Sequence, residues 1–333
     1  MSPLRCPRCH APLRANGADL DCVGPGCGLR FPIVDGVPVL VDEQASVFRI
    51  SDYTSRTLRR PPQSRLHALA LRLLPSLDLN VAARENVQRL RSLLFARSSR
   101  PEILNIGGKH PRAAMATLRK DSAIAVTECD VVPGPGVTLL ADPRALPFAA
   151  ASFDAVLLDG VLEHSVDPQG VADEVHRVLR PGGLGYADTP FMLPVHGGAH
   201  DFGRFSALAH RRLFARFQEV AAGVSSGPAA ALGYAVQSLL LAFASGRRSR
   251  FAIKALCRLG LFWLKYLDLA IAARPGALDG ALGVFFLGER AEAAIGDREL
   301  SRGYAGNTPD LYARAARPTL ATNPTAASPV RPR

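Results

Sequence analysis

The sequence predicts an α/β fold built around a largely parallel sheet, and the evidence lies in residues 101–190. An apolar run ending in Gly107-Gly108 is typical of a buried strand followed by a tight turn. A second strand end, which is acidic, follows at Asp130. The segments SFDAVLLDGVLEHSVDP (152–168) and VLRPGGL (178–184) come after it. Strands that alternate with helical patterns in this way indicate βαβ units.

The same strands carry polar residues that suit a nucleoside. Glycine at 107 and 108 lets the backbone approach a ligand where a Cβ would clash. Asp130, with Glu128 as second candidate, can accept hydrogen bonds from a ribose diol, and Asp142 from an exocyclic adenine amine. Ligands of open α/β sheets lie beyond the carboxyl ends of the strands, so we expect these side chains to gather there.

Four segments together resemble one family: LPF (146–148), SFD (152–154), VLEH (161–164) and EVHRVLRPGG (174–183). They are similar to the core of class I S-adenosylmethionine-dependent methyltransferases of the type 11 group, over about residues 101–225. The resemblance implies a Rossmann-like sheet of seven strands that binds S-adenosylmethionine. The cofactor-binding positions implied by it, or by the reasoning above, are Asn105, Gly107, Gly108, Glu128, Asp130, Asp142, Leu146, Asp159 and Gly160.

The first motif departs from the family pattern. Asn105 stands where the family usually has an acidic residue, and Lys109-His110-Pro111 replaces the third glycine. Asparagine accepts a hydrogen bond but supplies no charge for the cofactor's ammonium group. This departure favours weaker cofactor binding, and it keeps open a catalytically silent scaffold with the same fold.

A cysteine motif opens the chain. Cys6, Cys9, Cys22 and Cys27 form C-x2-C, twelve intervening residues and C-x4-C. Two thiolate pairs on opposing turns can surround one tetrahedral Zn²⁺ and fold a segment too small for its own core. The alternative is four unrelated reduced thiols. The following stretch, LRFPIVDGVPVLVDE (29–43), resembles small zinc-ribbon proteins that activate tRNA and translation-factor methyltransferases, and we expect two short strands around Asp35-Gly36.

The length and the net charge of the chain limit its possible domains and partners. It has 333 residues and a formal net charge of +11, which favours an anionic partner such as nucleic acid, lipid headgroups or a phosphorylated intermediate. The polar start shows no leader, so a cytoplasmic location is expected. The predicted division is a zinc ribbon at 1–43, a helical linker and cofactor cover at 44–100 with helices at 63–74 and 80–97, a methyltransferase domain at 101–290, and a disordered tail at 291–333.

The stretch PFMLPVHGGAHDFGRFS (190–206) follows a strand end, where a methyl acceptor is expected. His196 or His200 can take a proton from a hydroxyl, Asp201 can orient an imidazole, and Arg204 can bind an anionic group. These four residues are the predicted catalytic set. The alternative is a structural loop tied by an Asp–Arg pair, with Ser206 capping the next helix.

An apolar helical insertion is predicted at 228–280, between two strands at 219–226 and 283–289 that would form a hairpin. In the helix predicted at 251–272, charged residues share one narrow arc while apolar side chains fill the rest; the charged residues are Lys254, Arg258, Lys265 and Asp268. Such a helix is buried nearly all round, or lies in a membrane interface with its cationic stripe toward the headgroups.

These patterns favour a methyltransferase acting on a small, lipid-linked or saccharide acceptor, peripheral to the cytoplasmic face of the membrane. An rRNA methyltransferase is the alternative within the enzyme class, because such enzymes also begin with a zinc knob and the chain is basic. No aromatic and basic surface for RNA is apparent in the sequence, which makes nucleic acid the less favoured partner. The sequence does not indicate an oligomeric state.

Overall fold

A computed structural model describes residues 3–58, 73–107 and 115–310. Gly108 and most of the helix predicted at 63–74 lie outside these residues. A single mixed sheet organises the described chain, in the order β1-β2-β3-β4-β7-β6-β5-β8-β9-β11-β10. Its strands are β1 (Leu13–Asn16), β2 (Asp19–Cys22), β3 (Arg30–Val34), β4 (Val37–Leu40), β5 (Glu102–Ile106), β6 (Ala125–Asp130), β7 (Leu139–Ala141), β8 (Phe153–Asp159), β9 (Leu179–Pro190), β10 (Phe217–Ser226) and β11 (Gly283–Arg290).

The sheet has eleven strands rather than the seven predicted. Strands β5 to β11 come from residues 102–290, and the other four come from the cysteine-rich module. The two parts join because β4 pairs in parallel with β7, with Val39 opposite Leu140 and Leu40 opposite Ala141. Backbone hydrogen bonds at the free edge of β7 therefore extend one sheet into the other.

The centre of the sheet is parallel. Strand β5 lies between β6 and β8, and β8 pairs in parallel with β9. Side chains alternate between two apolar clusters: Ile103 packs in one cluster, and Leu104 and Ile106 pack in the other. The last two strands form an antiparallel pair with Val224 opposite Val284, as the sequence predicted for 219–226 and 283–289. The carboxyl ends of the parallel strands meet at one edge, where the site lies.

Helices cover the sheet and connect its strands. They are α1 (Ile50–Thr54), α2 (Ala83–Phe95), α3 (Met115–Lys120), α4 (Pro168–Val178), α5 (Ala207–Leu213), α6 (Pro228–Ala242), α7 (Arg247–Leu261), α8 (Leu264–Ile271), α9 (Pro275–Asp279) and α10 (Asp297–Arg302). Helix α2 buries Val87, Leu90 and Leu94, the apolar face predicted for it. On its other face Arg91 pairs with Asp121 at 2.9 Å.

The cysteine-rich module shares its core with the rest of the sheet. The β3–β4 turn has positive φ at Asp35 (52°) and Gly36 (81°), which is the two-residue hairpin expected from the sequence. Cys6 and Phe31 are fully buried in the same apolar cluster as Phe148. Residues of the module are therefore part of one continuous hydrophobic core.

Four helices, α6 to α9, lie between β10 and β11. The single helix predicted at 251–272 is divided into α7 and α8 by Phe262 and Trp263. Lys265 and Asp268 do not belong to an outward cationic stripe, which was one of the two alternatives for this helix. Lys265 Nζ donates to the Ser76 carbonyl at 3.0 Å, and Asp268 accepts from the backbone N–H groups of the first turn of α6. Both charges are buried because each has a polar partner inside the fold.

The burial of these charges leaves apolar side chains of the insertion exposed. Their exposed fractions run from 37% at Leu240 to 82% at Phe243. They are Leu232, Leu239, Leu240 and Phe243 on or just after α6, Leu256 and Leu259 on α7, and Trp263, Tyr266, Leu267 and Leu269 at α8. We call these ten residues the apolar surface.

The segment predicted to be disordered from residue 291 begins with ordered structure. It contains α10, and beyond that helix Tyr304 Oη donates to Asp279 Oδ1 at 2.6 Å. The Asp279 carboxylate also accepts the backbone N–H of Asn307 at 2.8 Å. These bonds hold residues up to 310 against α9, and the remaining residues, 311–333, lie outside the described part of the chain.

Candidate functional site

A cavity of about 720 Å³ opens at the carboxyl edge of the parallel strands. Its floor comes from the ends of β5, β6, β8 and β9 and the loops that follow them, and the linker contributes a cover through Phe48 and Leu58. Most predicted site residues line this one cavity. They are Gly107, Asp130, Asp142, Asp159, Gly160, His196 and His200.

The bend after β5 requires glycine. Gly107 has a φ of 81°, and its N–H donates to the Cys129 carbonyl at 3.0 Å. A Cβ built at this position would lie 2.8 Å from Val161 Cγ2 and 3.0 Å from the Asp159 carbonyl oxygen. Gly160, with a φ of 67°, makes a second bend after β8. Two bends without side chains therefore leave the cavity open between β5 and β8.

The two predicted nucleoside contacts differ in their surroundings. Asp130 ends β6 with its carboxylate at the cavity wall, and Oδ1 accepts the Val132 N–H at 3.0 Å. The Asp142 carboxylate accepts hydrogen bonds from Arg144 Nε at 3.1 Å and Nη2 at 3.0 Å, and from Ser46 Oγ at 2.6 Å. An amine at Asp142 must therefore compete with the Arg144 fork.

Three predicted cofactor residues are absent from the cavity lining. Leu146 is fully buried in the main core, and its N–H donates to Glu174 Oε2 at 2.7 Å, so it supports the wall from behind. Asn105 and Glu128 lie side by side under the bend, where Asn105 Nδ2 donates to Glu128 Oε2 at 2.8 Å. Their register on neighbouring strands explains the contact, because residue 105 is directly opposite residue 128.

Asp201 and Arg204 clamp the loop after β9 rather than facing the cavity. Arg204 Nη2 donates to Asp201 Oδ2 at 2.8 Å and to the Pro194 carbonyl at 3.1 Å, and Nε donates to the Leu193 carbonyl at 2.6 Å. Asp201 also accepts the His196 N–H at 2.8 Å. The guanidinium holds the pKa of Asp201 well below its usual range. This is the structural alternative that the sequence left open, and Ser206 caps α5 as that alternative predicted.

Glu163 is a site residue that the sequence reasoning missed. It lies in the short turn Leu162–His164 after β8, lines the cavity and is only 1% exposed. Burial raises the pKa of its carboxyl to about 7. Its carbonyl accepts the Phe202 N–H at 2.7 Å, which fixes the turn against the loop after β9. Glu163 belongs to the VLEH motif, which was used only for the family resemblance.

Two imidazoles face Glu163. His196 Nε2 lies 3.7 Å from Glu163 Oε1, and His164 Nε2 lies 3.9 Å from the same atom. The rings meet edge to face with centroids 4.8 Å apart. Burial and the neighbouring His164 lower the pKa of His196, so this ring is neutral near pH 7. His200 stands apart, with its ring stacked 5.7 Å from Phe48.

The four N-terminal cysteines form one cluster, as predicted. Their Sγ atoms lie within 4.8 Å of one another, with Cys6 and Cys27 3.7 Å apart and Cys9 and Cys22 3.4 Å apart. Four sulfur ligands around one centre suit a closed tetrahedral site of the zinc-ribbon kind. This cluster is separate from the cavity, so it has no position from which to act on a substrate bound there.

The described residues form an α/β fold around a mixed sheet, with a cavity at the carboxyl edge of its parallel strands. Residues 113–187 match the family model described as a methyltransferase domain, which confirms the resemblance seen in the sequence. A protein of Mycolicibacterium vanbaalenii named "Uncharacterized methyltransferase" is 40% identical over 77 residues, 23% of this chain and 30% of that relative. The chain thus spans less than a third of that relative's length.

Solved structures that match parts of the chain include the [4+2]-cyclase SpnF, at 16% identity and a TM-score of 0.40, covering 64% of this chain and 82% of that one. Another is geranyl diphosphate C-methyltransferase from Streptomyces coelicolor A3(2), at 13% identity and a TM-score of 0.39, covering 71% of this chain and 88% of that one.

Proposed function

We propose that the protein is an S-adenosylmethionine-dependent methyltransferase that acts on a small acceptor. The observation that carries the proposal is the single cavity, which joins the glycine bends and acidic strand ends to a histidine-lined pocket. When bound, S-adenosylmethionine supplies a reactive sulfonium methyl group. Gly107 and Gly160 would give it room, and Asp130 would accept from its ribose hydroxyls.

The rest of the cavity would hold the acceptor. Leu193, Pro190 and Phe48 supply apolar wall, and His200 supplies an imidazole close to Phe48. We assign proton acceptance from an acceptor hydroxyl to His200, because the rings of His164 and His196 face Glu163 instead. Alignment and exclusion of water would provide most of the rate, since the donor is intrinsically reactive.

Calorimetry with S-adenosylhomocysteine tests the cofactor assignment. Asp130→Ala should weaken binding by about 1–3 kcal/mol, because hydrogen bonds to the ribose are lost. Asp173→Ala is the matched control: it removes an exposed carboxylate of α4, away from the cavity, and should bind as wild type does. Absence of any binding heat in the wild type would favour the silent scaffold, and equal affinity of Asp130→Ala and wild type would remove the ribose assignment.

We further propose that the four cysteines hold a structural Zn²⁺. The sulfur cluster and the burial of Cys6 within the main core support this assignment. A metal at that point would fix the position of β1 to β4 and therefore the strand that pairs with β7.

The apolar surface is the basis of a second proposal, that the protein docks on an anionic membrane through α6 to α8, where a lipid-linked or saccharide acceptor would be reached. Ten exposed apolar side chains lie on these helices, next to exposed Arg247, Arg248 and Arg250 at the start of α7. Such a combination suits an interfacial helix face beside acidic headgroups. Leu193 connects this region to the site, since it packs against the cluster of Ala230, Ala231 and Leu282 and also lines the cavity.

None of the helices in the described residues has the length and apolar character needed to cross a membrane. Docking is therefore tested by sedimentation with vesicles containing anionic lipid. The double variant Phe243→Ser, Trp263→Ser should lose most of the bound fraction, while Val23→Ser, an exposed apolar residue of the cysteine-rich module, should not. Equal sedimentation of all three proteins would contradict the proposal.

A further inference from the structure

We infer that Glu163, His164 and His196 form a binding site for a divalent transition-metal cation inside the acceptor pocket. Each of the three offers one ligand atom, and these atoms lie within 4.8 Å of one another. Two imidazoles and one carboxylate are a common ligand set for catalytic zinc and for non-haem iron, with positions left open for substrate.

The distances are close to those of a loaded site. Ligand atoms at about 2.1 Å from a tetrahedral ion lie roughly 3.4 Å from each other. Glu163 Oε1 is 3.7 Å from one imidazole Nε2 and 3.9 Å from the other. All three ligand atoms lie within 4.8 Å of one another, so they would have to move somewhat closer together to hold an ion.

The second nitrogen of the His164 ring already has an acceptor. His164 Nδ1 is 2.6 Å from the His200 carbonyl oxygen, which requires Nδ1 to carry a proton, so in the neutral ring Nε2 has a lone pair for a metal. His196 Nδ1 lies 3.4 Å from Asp201 Oδ2, a carboxylate beside the ring. Histidines that ligate metals almost always donate their second N–H to a carbonyl or carboxylate in this way.

Glu163 supplies the independent evidence. Its side chain is almost fully buried, and Oε2 has no hydrogen-bond partner within the described chain. A buried carboxylate oxygen without a hydrogen-bond partner is costly, and a cation at the cluster would remove that cost. The backbone at Gly197 lies close against the His164 ring, and a Cβ at this position would come within 2.5 Å of Cε1.

The open coordination positions would face the cavity, because all three residues line it. An acceptor that brings an oxygen donor, such as a hydroxyl beside a carbonyl or carboxylate, would complete the coordination. Coordination of the acceptor rests on the proposed methyl transfer, whereas the metal site itself does not.

The test titrates Mn²⁺ into protein that holds only one zinc per chain, which the four thiolates retain, in the presence of excess Mg²⁺, and follows the electron paramagnetic resonance signal of free Mn²⁺. Thiolates favour zinc over manganese, so the cysteine cluster should not take up the probe. Wild type should bind one Mn²⁺ per chain, and Glu163→Gln and His164→Ala should weaken binding at least tenfold. His200→Ala should bind as wild type does, because only its backbone carbonyl contacts His164.

Two results would overturn the inference: no uptake by wild type, or the same uptake by all four proteins. Circular dichroism of Glu163→Gln, which keeps the size of the side chain, checks that a loss is not unfolding. Calorimetry with S-adenosylhomocysteine on the same samples separates the two proposals. Cofactor binding without Mn²⁺ uptake would remove the metal site only, and Mn²⁺ uptake without cofactor binding would keep it and remove the methyl transfer.

Discussion

Replacing Gly107 by alanine tests whether the bend after β5 depends on a missing side chain. The new Cβ would lie 2.8 Å from Val161 Cγ2 and 3.0 Å from the Asp159 carbonyl oxygen. The second neighbour is backbone, so it cannot rotate away. A left-handed backbone at φ 81° costs an alanine about 1–2 kcal/mol, and overpacking of this kind adds about 1–3 kcal/mol. We expect a total loss of about 2–5 kcal/mol in the free energy of unfolding.

Gly36→Ala is the matched control. Gly36 has the same φ of 81°, but a Cβ there would meet nothing within 4 Å. It should lose only the backbone contribution of about 1–2 kcal/mol. The difference between the two variants therefore isolates the collision with the residues after β8.

The assay is urea unfolding followed by circular dichroism, combined with calorimetry against S-adenosylhomocysteine. Gly107→Ala should also bind this ligand more weakly, because Val161 and Asp159 line the cavity and must shift. Gly36→Ala should keep wild-type affinity. If the two variants lose the same stability to within about 0.5 kcal/mol, the close approach of β5 and β8 does not constrain the fold, and the reasoning is refuted.

Two further predictions concern protons and metal. Burial lowers the pKa of His210 to about 3, so the unfolded chain takes up a proton that the folded chain does not. The free energy of unfolding should therefore fall by about 3 kcal/mol between pH 6.5 and pH 4. In urea unfolding, His210→Gln should show a smaller fall over this range. Parallel pH profiles of the two proteins would contradict the prediction. Cys6→Ser should contain one zinc fewer by elemental analysis and unfold at lower urea, and an unchanged zinc content would exclude the cysteine site.

Local signals explain what could be predicted from the sequence. The sequence predicted a helix at 80–97, where α2 lies, and the Asp35-Gly36 pair predicted a two-residue turn. Each of these features depends on residue types within a short window. The pairing of β10 with β11 joins distant segments, and it was expected from the fold of the family that the sequence resembles.

Features set by distant partners could not be predicted in this way. Strand β4 pairs with β7 through backbone groups, so no side-chain pattern in the sequence predicts this pairing. The shared arc of Lys265 and Asp268 left a buried and an interfacial helix both open, and the partners that bury these charges, Ser76 and the start of α6, lie elsewhere in the chain. Arg204 looked like an anion-binding residue until the carbonyls of Leu193 and Pro194 were seen to occupy it.

Asn105 lacks the acidic group usual at its position, but a carboxyl group lies next to it on the neighbouring strand. The asparagine leaves the first motif without its usual charge, but its amide donates to the Glu128 carboxylate at 2.8 Å. Residues 128 and 130 are two apart on β6, so their side chains point to the same face, and Asp130 lines the cavity. The Glu128 carboxyl group therefore lies beside Asn105 under the glycine bend. The departure at 105 is for this reason a weak argument for a silent scaffold, because the neighbouring strand carries an acidic side chain at this point.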